Sequence, residues 1–294
     1  MFGKGFEPMK KNGLMAMLLA SVVWSGRAEN AVDKSEYTLI NPTPKDLMRE
    51  WYTDHSGNSP YTIDAGHFAA DVGFSYFYDQ YTTGPFTVTE TGWAIGGTRV
   101  KVGLLDNLDV SASIVPYQTI TMSAGGLRQT ASGSGNLSTA LKWNLWGNDG
   151  GTTALAISGG VTFPTGTGDF SDDLYTGFVG AEFAAHLPYG FMLQIDNSIG
   201  LADFSTTTNG PSRFEAAFGN FISVSHAIVN DVTAYCAFTT SVSTVAGSDW
   251  LGTIVVGVDY RVKENIELYI GDAFYVQPLD EHAFAPFGGI AVRF

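Results

Sequence analysis

The stretch Asn136-Leu137-Ser138-Thr139-Ala140-Leu141-Lys142-Trp143-Asn144-Leu145 alternates with a period of two. Leu137, Thr139, Leu141, Trp143 and Leu145 share one face, and Asn136, Ser138, Ala140, Lys142 and Asn144 share the other. A segment of this kind is a β-strand with one apolar and one polar side. The same period returns where Ile254, Val256, Val258, Tyr260 and Val262 oppose Thr253, Val255, Gly257, Asp259 and Arg261. It returns again where Phe191, Leu193, Ile195, Ile199 and Leu201 oppose Gln194, Asp196 and Ser198.

Working outward from these segments, strands are expected near 67–79, 92–105, 108–121, 133–146, 152–165, 174–187, 191–205, 213–228, 232–245, 250–263, 266–276 and 285–294. The connections then sort into two kinds. After even-numbered strands they are tight and polar: Asp106-Asn107, Gly147-Asn148-Asp149-Gly150, Pro188-Tyr189-Gly190, Asn230-Asp231 and Glu264-Asn265. After odd-numbered strands they are longer and rich in Gly, Ser and Thr: 80–91, 122–132, 166–173, 206–212 and 277–285, with the short 246–249 link as the exception. A soluble sandwich has no reason to segregate its loops this way. A membrane β-barrel does, with short periplasmic turns, long outer loops and an even strand number. The expected fold is therefore all-β, a transmembrane antiparallel up-and-down barrel of about twelve strands.

Composition agrees. Charged residues make up 15% of the 294, against about 25% in ordinary soluble domains. The 20 Phe, 13 Tyr and 35 Gly suit strands and turns. No stretch after the first residues reaches 18 consecutive apolar residues, so any crossing must be made by strands. On the lipid-facing register Phe68, Trp143, Phe191, Tyr260 and Phe294 fall at one rim, and Tyr76, Phe163, Tyr175, Trp250 and Phe274 at the other, the expected pair of aromatic girdles. Asn220 and Asp272 also fall on that face, which is read as a local bulge or a slip of register.

The N-terminus reads as an export signal over 1–28: basic Lys4, Lys10 and Lys11, an apolar run from Gly13 to Trp24, and small residues at Gly26 and Ala28. Residues 29–63 form a separate N-terminal segment, in which Thr43-Pro44 and 45–51 suggest a short capped helix. That segment either stays in the periplasm or folds back into the lumen as a plug. The barrel takes 64–294. The formal net charge is −14 and becomes more negative without the signal, which excludes nucleic acid as a partner. The lone Cys236 lies within an alternating strand, where a packing role is expected.

Two stretches resemble a family of outer-membrane transporters often named for the meta-cleavage pathway of phenol degradation. One is Ser59-Pro60-Tyr61-Thr62-Ile63-Asp64-Ala65-Gly66-His67-Phe68; the other is Val161-Thr162-Phe163-Pro164-Thr165-Gly166-Thr167-Gly168-Asp169. The family's Thr-Asp-Arg-Pro-like stretch keeps only its start here, in Thr53-Asp54-His55-Ser56-Gly57. The resemblance implies an outer-membrane barrel carrying small, apolar or aromatic cargo. The residues themselves have structural readings: an extended path into strand one at Ser59-Pro60, relief of crowding at Gly66, and the end of pairing at Pro164.

The lumen face would carry Asp71, Asp109, Glu182, Asp196, Asp259 and Glu267 with Arg99, Lys101, Lys142, Arg261 and Arg293, as either a pore lining or an internal network of ion pairs. The outer rim would be acidic at Asp169, Asp172, Asp173, Asp280 and Glu281, giving a mouth that attracts cations. Ile290, Val292 and Phe294 form an alternating, aromatic-ended last strand of the kind the barrel-assembly machinery reads. The expected partners are outer-membrane lipid and lipopolysaccharide, that machinery, and small solutes; no cofactor, metal or catalytic residue is expected. Passive transport leads. A structural or adhesive barrel is the alternative, and a lipid hydrolase comes third, since only His282 of the five histidines falls in an outer loop.

Overall fold

The computed structural model describes residues 59–293 other than 64, 84–85, 149–151, 171–173, 205–212, 230, 245–249, 264 and 278–282. Fourteen strand segments follow in order: β1 (Phe68–Thr83), β2 (Phe86–Leu105), β3 (Leu108–Ile114), β4 (Tyr117–Ala124), β5 (Leu127–Gly133), β6 (Leu137–Trp146), β7 (Thr153–Phe163), β8 (Thr176–His186), β9 (Phe191–Phe204), β10 (Arg213–Val229), β11 (Val232–Ser243), β12 (Leu251–Lys263), β13 (Ile266–Gln277) and β14 (Phe284–Arg293). Every neighbouring pair is antiparallel, and β1 pairs with both β14 and β2, so the sheet closes on itself. The segments β3 and β4 are two halves of one wall strand, as are β5 and β6, and the result is a closed barrel of twelve strands.

The third strand breaks at Val115-Pro116 because Pro116 has no N–H to give to the ladder. Gly135 N instead donates to Val115 O across the break, at 2.8 Å. Above it, the structure corrects two expected loops. Residues 80–91 and 122–132 are not loops: β1 and β2 pair on to Thr83↔Phe86, and β4 and β5 form a hairpin closed at Ala124↔Leu127. The second closes through Gly125 and Gly126, both at positive φ (56° and 83°), as a two-residue hairpin turn demands. Cutting strands at the thickness of a bilayer hid these extensions, although Tyr81-Thr82-Thr83 and Phe86-Thr87-Val88 are strong strand formers. The four strands rise past the barrel as a flap.

The second motif braces that flap. Leu137 N donates to Thr165 Oγ1 (2.8 Å), Gly166 N to Asn136 Oδ1 (2.8 Å), and Ser134 N to Thr167 Oγ1 (2.9 Å). The 164–167 chain thereby satisfies backbone groups where β5 passes into β6 and has no strand partner on that side.

Faces alternate as the sequence predicted. Outward side chains are Val, Ile, Leu and aromatics, with Phe68, Trp143, Phe191 and Tyr260 exposed at the end bearing the tight turns. At the hairpin end Tyr175, Trp250 and Phe274 are exposed, and the Trp93 and Tyr117 rings meet tilted at 5.1 Å. Asn220 and Asp272 do face outward, but the register runs through both without a shift, so neither marks a bulge or a slip. Cys236 is exposed on the same outward face and is not packed in a core. Gly66 sits at φ +81° with nothing within 4 Å of its missing side chain, so it serves the backbone turn and not crowding.

Candidate functional site: the barrel lumen

The interior is divided between two walls. On the first, formed by β3, β6, β7 and β8, the chain ahead of β1 lies inside the barrel. Ser59, Pro60, Tyr61, Thr62 and Ile63 are all buried there, as a strap running up from the turn end. Lys142 Nζ donates to Ser59 O (2.6 Å) and Asn144 Nδ2 to Pro60 O (2.7 Å). Asn148 makes a reciprocal pair with Thr62, its Oδ1 accepting from Thr62 N (3.0 Å) and its Nδ2 donating to Thr62 Oγ1 (2.8 Å). Asp109 Oδ2 accepts from Ile63 N at 3.3 Å, and Tyr61 packs on Ala154 and Ala184.

Two expected lumen charges, Asp109 and Lys142, are thus cross-strand partners that hold the strap. Sequence reasoning missed Asn144 and Asn148 by weighing only ionisable side chains; the alternation had already put Asn144 on the inward face. It gave Ser59-Pro60 an extended entry and left open whether 29–63 stays in the periplasm or folds back into the lumen; 59–63 lie inside the barrel.

Most of the remaining expected charges point inward. Asp71, Arg99, Lys101, Glu182, Asp259 and Glu267 are buried, and Asp196 is half-buried on the inward face of β9. Asp71 and Arg99 face each other across β1 and β2 and form an ion pair at 2.7 Å. Arg261 and Arg293 sit lower, at the turn end. The former pairs with Asp231 at 2.7 Å; Arg293 N donates to Asn265 O (3.1 Å) and Arg293 O accepts from Asn265 Nδ2 (3.4 Å). Glu182 accepts from Ser158 and stands opposite Asp196. Its other oxygen, and Nε2 of neighbouring Gln194, are buried without a partner among the described residues.

The second wall, from β10 round to β1, combines the buried Asp71, Asp259 and Glu267 toward the turn end with an apolar cluster above them. Phe221, Tyr235, Ala237, Val255, Ala273 and Ala285 form one buried cluster, with Phe77 and Phe287 packed against it. Five inward rings cover a glycine of the adjacent strand: Phe77 on Gly92, Tyr235 on Gly257, Phe287 on Gly271 and Tyr269 on Gly289 here, and Phe178 on Gly160 on the first wall. A Cβ on any of these glycines would stand 2.1–2.5 Å from the ring. Aromatic residues laid over glycine are a known device for keeping a curved sheet tight. Sequence reading passed over this cluster because it weighed charges, and the cluster itself carries none.

Above the hairpin-end girdle, Asp79 and Glu90 oppose each other on β1 and β2. Burial raises both carboxyls above their usual range. The Asp79 charge raises Glu90 further, and a hydrogen bond from Tyr81 partly offsets this. Of the outer acidic group, Asp172, Asp173, Asp280 and Glu281 lie outside the described residues, and Asp169 falls in a single 3-10 turn, Gly168–Phe170. Ile290 and Val292 face outward on β14; Phe294 lies outside the described residues, as do His55, His282 and the expected helix at 45–51. Among the described residues no group of three or more His, Cys, Asp or Glu is placed to hold a metal.

This architecture defines a class, the outer-membrane type of closed, twelve-stranded antiparallel barrel. Among solved structures the chain is similar to the COG4313 outer membrane channel from Pseudomonas putida F1, at 13% identity and TM-score 0.56, covering 80% of this chain and 97% of that one. It is also similar to the translocator domain of the autotransporter NalP from Neisseria meningitidis, at 10% identity and TM-score 0.51, covering 79% and 90%. The NanC porin aligns at 10% identity and TM-score 0.51, covering 76% and 100%. At these identities the likeness is one of fold. No protein-family model and no curated protein matches the sequence.

Proposed function

We propose that this chain is an outer-membrane channel for the passive passage of small solutes, apolar and aromatic ones foremost, with a constriction built from its own N-terminal chain. The observation that carries the reading is the apolar cluster inside the barrel. Water-filled porin barrels keep a polar interior. Here Phe77, Phe221, Tyr235 and Phe287 face inward over a floor of Ala and Val, opposite the polar wall that holds the strap. Such a lumen offers a small apolar solute a dry side and leaves little open water for ions. The fold shared with the COG4313 channel supports the same reading.

In the membrane the tight turns face the periplasm, and the flap with its acidic rim faces outward. Ile290, Val292 and Phe294 are then the element read by the barrel-assembly machinery, and the outward Val, Ile and Leu meet lipid and lipopolysaccharide. Liposome swelling tests the function, with a small aromatic alcohol set against a monosaccharide of similar size. The channel reading expects faster entry of the aromatic solute than of the sugar. Folded protein that admits neither would return the chain to a structural role.

A further inference from the structure

One row on the outward face departs from the apolar pattern. Ala181, Asn197, Asn220 and Thr240 are successive cross-strand neighbours on β8, β9, β10 and β11, and the row ends at Gly252, beneath the Trp250 ring. On one side runs a ridge of Phe183, Ile195, Ile222, Phe238 and Ile254, each the partner of the next. On the other side run Val179, Ile199, Phe218 and Val242. Between two ridges of large side chains lies a shallow groove with amides on its floor.

Asn220 Nδ2 donates to Asn197 Oδ1 at 2.8 Å, which uses one donor and one acceptor of the two amides. Among the described residues the other N–H groups donate to no side chain and the Asn220 oxygen accepts from none. Asn197 lies six residues along β9 from the girdle residue Phe191. At about 3.4 Å per residue and a tilt of about 40°, that is about 15 Å into an apolar band about 25 Å tall. Lipid offers no hydrogen bond there, and an unmet amide is costly.

We infer that this row is where two copies of the chain meet in the membrane. The chemistry selects a second copy over a lipid chain, which brings no donor or acceptor to this depth. An amide carries both groups, so two Asn197–Asn220 pairs facing each other across a two-fold axis satisfy one another without any further partner. The small Ala181 and Thr240 let the surfaces approach. The ridges cross and press together around the amides, an apolar ring that excludes lipid from the centre.

The test uses the full chain in outer membranes with Cys236→Ser, since the native thiol lies on this wall. Thr240→Cys, treated with a short bifunctional maleimide, is expected to give a product of twice the chain's mass. Val100→Cys, outward on β2 across the barrel, is expected to give none. Adding Asn197→Leu and Asn220→Leu, which the apolar face accepts, should lower the Thr240→Cys product at least tenfold, with folding checked by heat-modifiable migration. Equal products at both positions would mean random collision and overturn the inference. A product that survives the leucines, or one of another mass, would overturn it as well.

Discussion

Removing the amides that dock the strap should open the lumen by an amount the structure sets. Asn144 and Asn148 make three hydrogen bonds to the strap, one to Pro60 and two to Thr62. Each contributes about 1 kcal/mol net, so Asn144→Ala with Asn148→Ala should weaken docking by about 3 kcal/mol. At 1.4 kcal/mol per factor of ten, that moves the ratio of docked to undocked strap about 150-fold toward undocked. Lys142 and Asp109 remain, so the strap is loosened without leaving a buried charge behind. In planar bilayers the double variant should show more frequent or larger open levels than the wild type. In a Cys236→Ser background, a Thr62→Cys probe should react faster with a water-soluble maleimide. If the folded variant keeps both the wild-type conductance and a shielded Thr62→Cys, the strap is not a movable constriction and the reasoning fails.

Other outcomes follow from the same geometry. Gly257→Ala and Gly289→Ala should each push a tyrosine ring off the wall into the lumen, lowering solute flux and costing about 1–3 kcal/mol by overpacking; an unchanged swelling rate and urea midpoint would refute this. Because the folded-state carboxyls of Asp79 and Glu90 are raised, the flap's stability contribution is fully present below the ordinary carboxylate range and is lost as pH rises through the raised values. Hydrogen exchange over 80–90, corrected for intrinsic rates, should therefore quicken with pH, and Glu90→Gln should flatten that trend. Asp169→Asn, Asp172→Asn and Asp173→Asn together should reduce a cation preference that is strongest at low salt, read as a smaller reversal potential under a KCl gradient; an unchanged potential would place selectivity deeper in the lumen.

The fold was legible because lipid on one side and a packed interior on the other force a strict period of two, and Leu137–Leu145 or Ile254–Val262 displays it openly. What the period could not supply was height. Nothing in Tyr81–Val88 distinguishes a strand inside the membrane from one rising above it, since the backbone pairs equally well in both. Inward placement of Asp71, Arg99 and Glu182 followed from the cost of charge in lipid. The strap stayed one of two alternatives, because Ser59–Ile63 has neither charge nor period, and its position is set by Asn144 and Asn148, more than 80 residues away in sequence. Asn220 was noticed and misread: a polar residue on the lipid face looked like an error of register, whereas it is in register and hydrogen-bonded to Asn197.

The rings laid on glycines also bear on how fast a solute could travel. Each of Phe77, Tyr235, Tyr269 and Phe287 occupies the space that a side chain on the neighbouring glycine would take, so ring and glycine fill one another's relief. A surface of low relief touches a passing molecule at few atoms at once, and each carbon contact is worth only about 0.1–0.2 kcal/mol. No single position along such a wall holds a solute much more firmly than the next. Conduction needs attraction strong enough to admit a molecule and weak enough to release it. A wall built of faces instead of pockets meets both demands, so preference among solutes would be expressed in residence times too short to register as tight binding, and glycine, which contributes no contact of its own, would be the residue that keeps the path smooth.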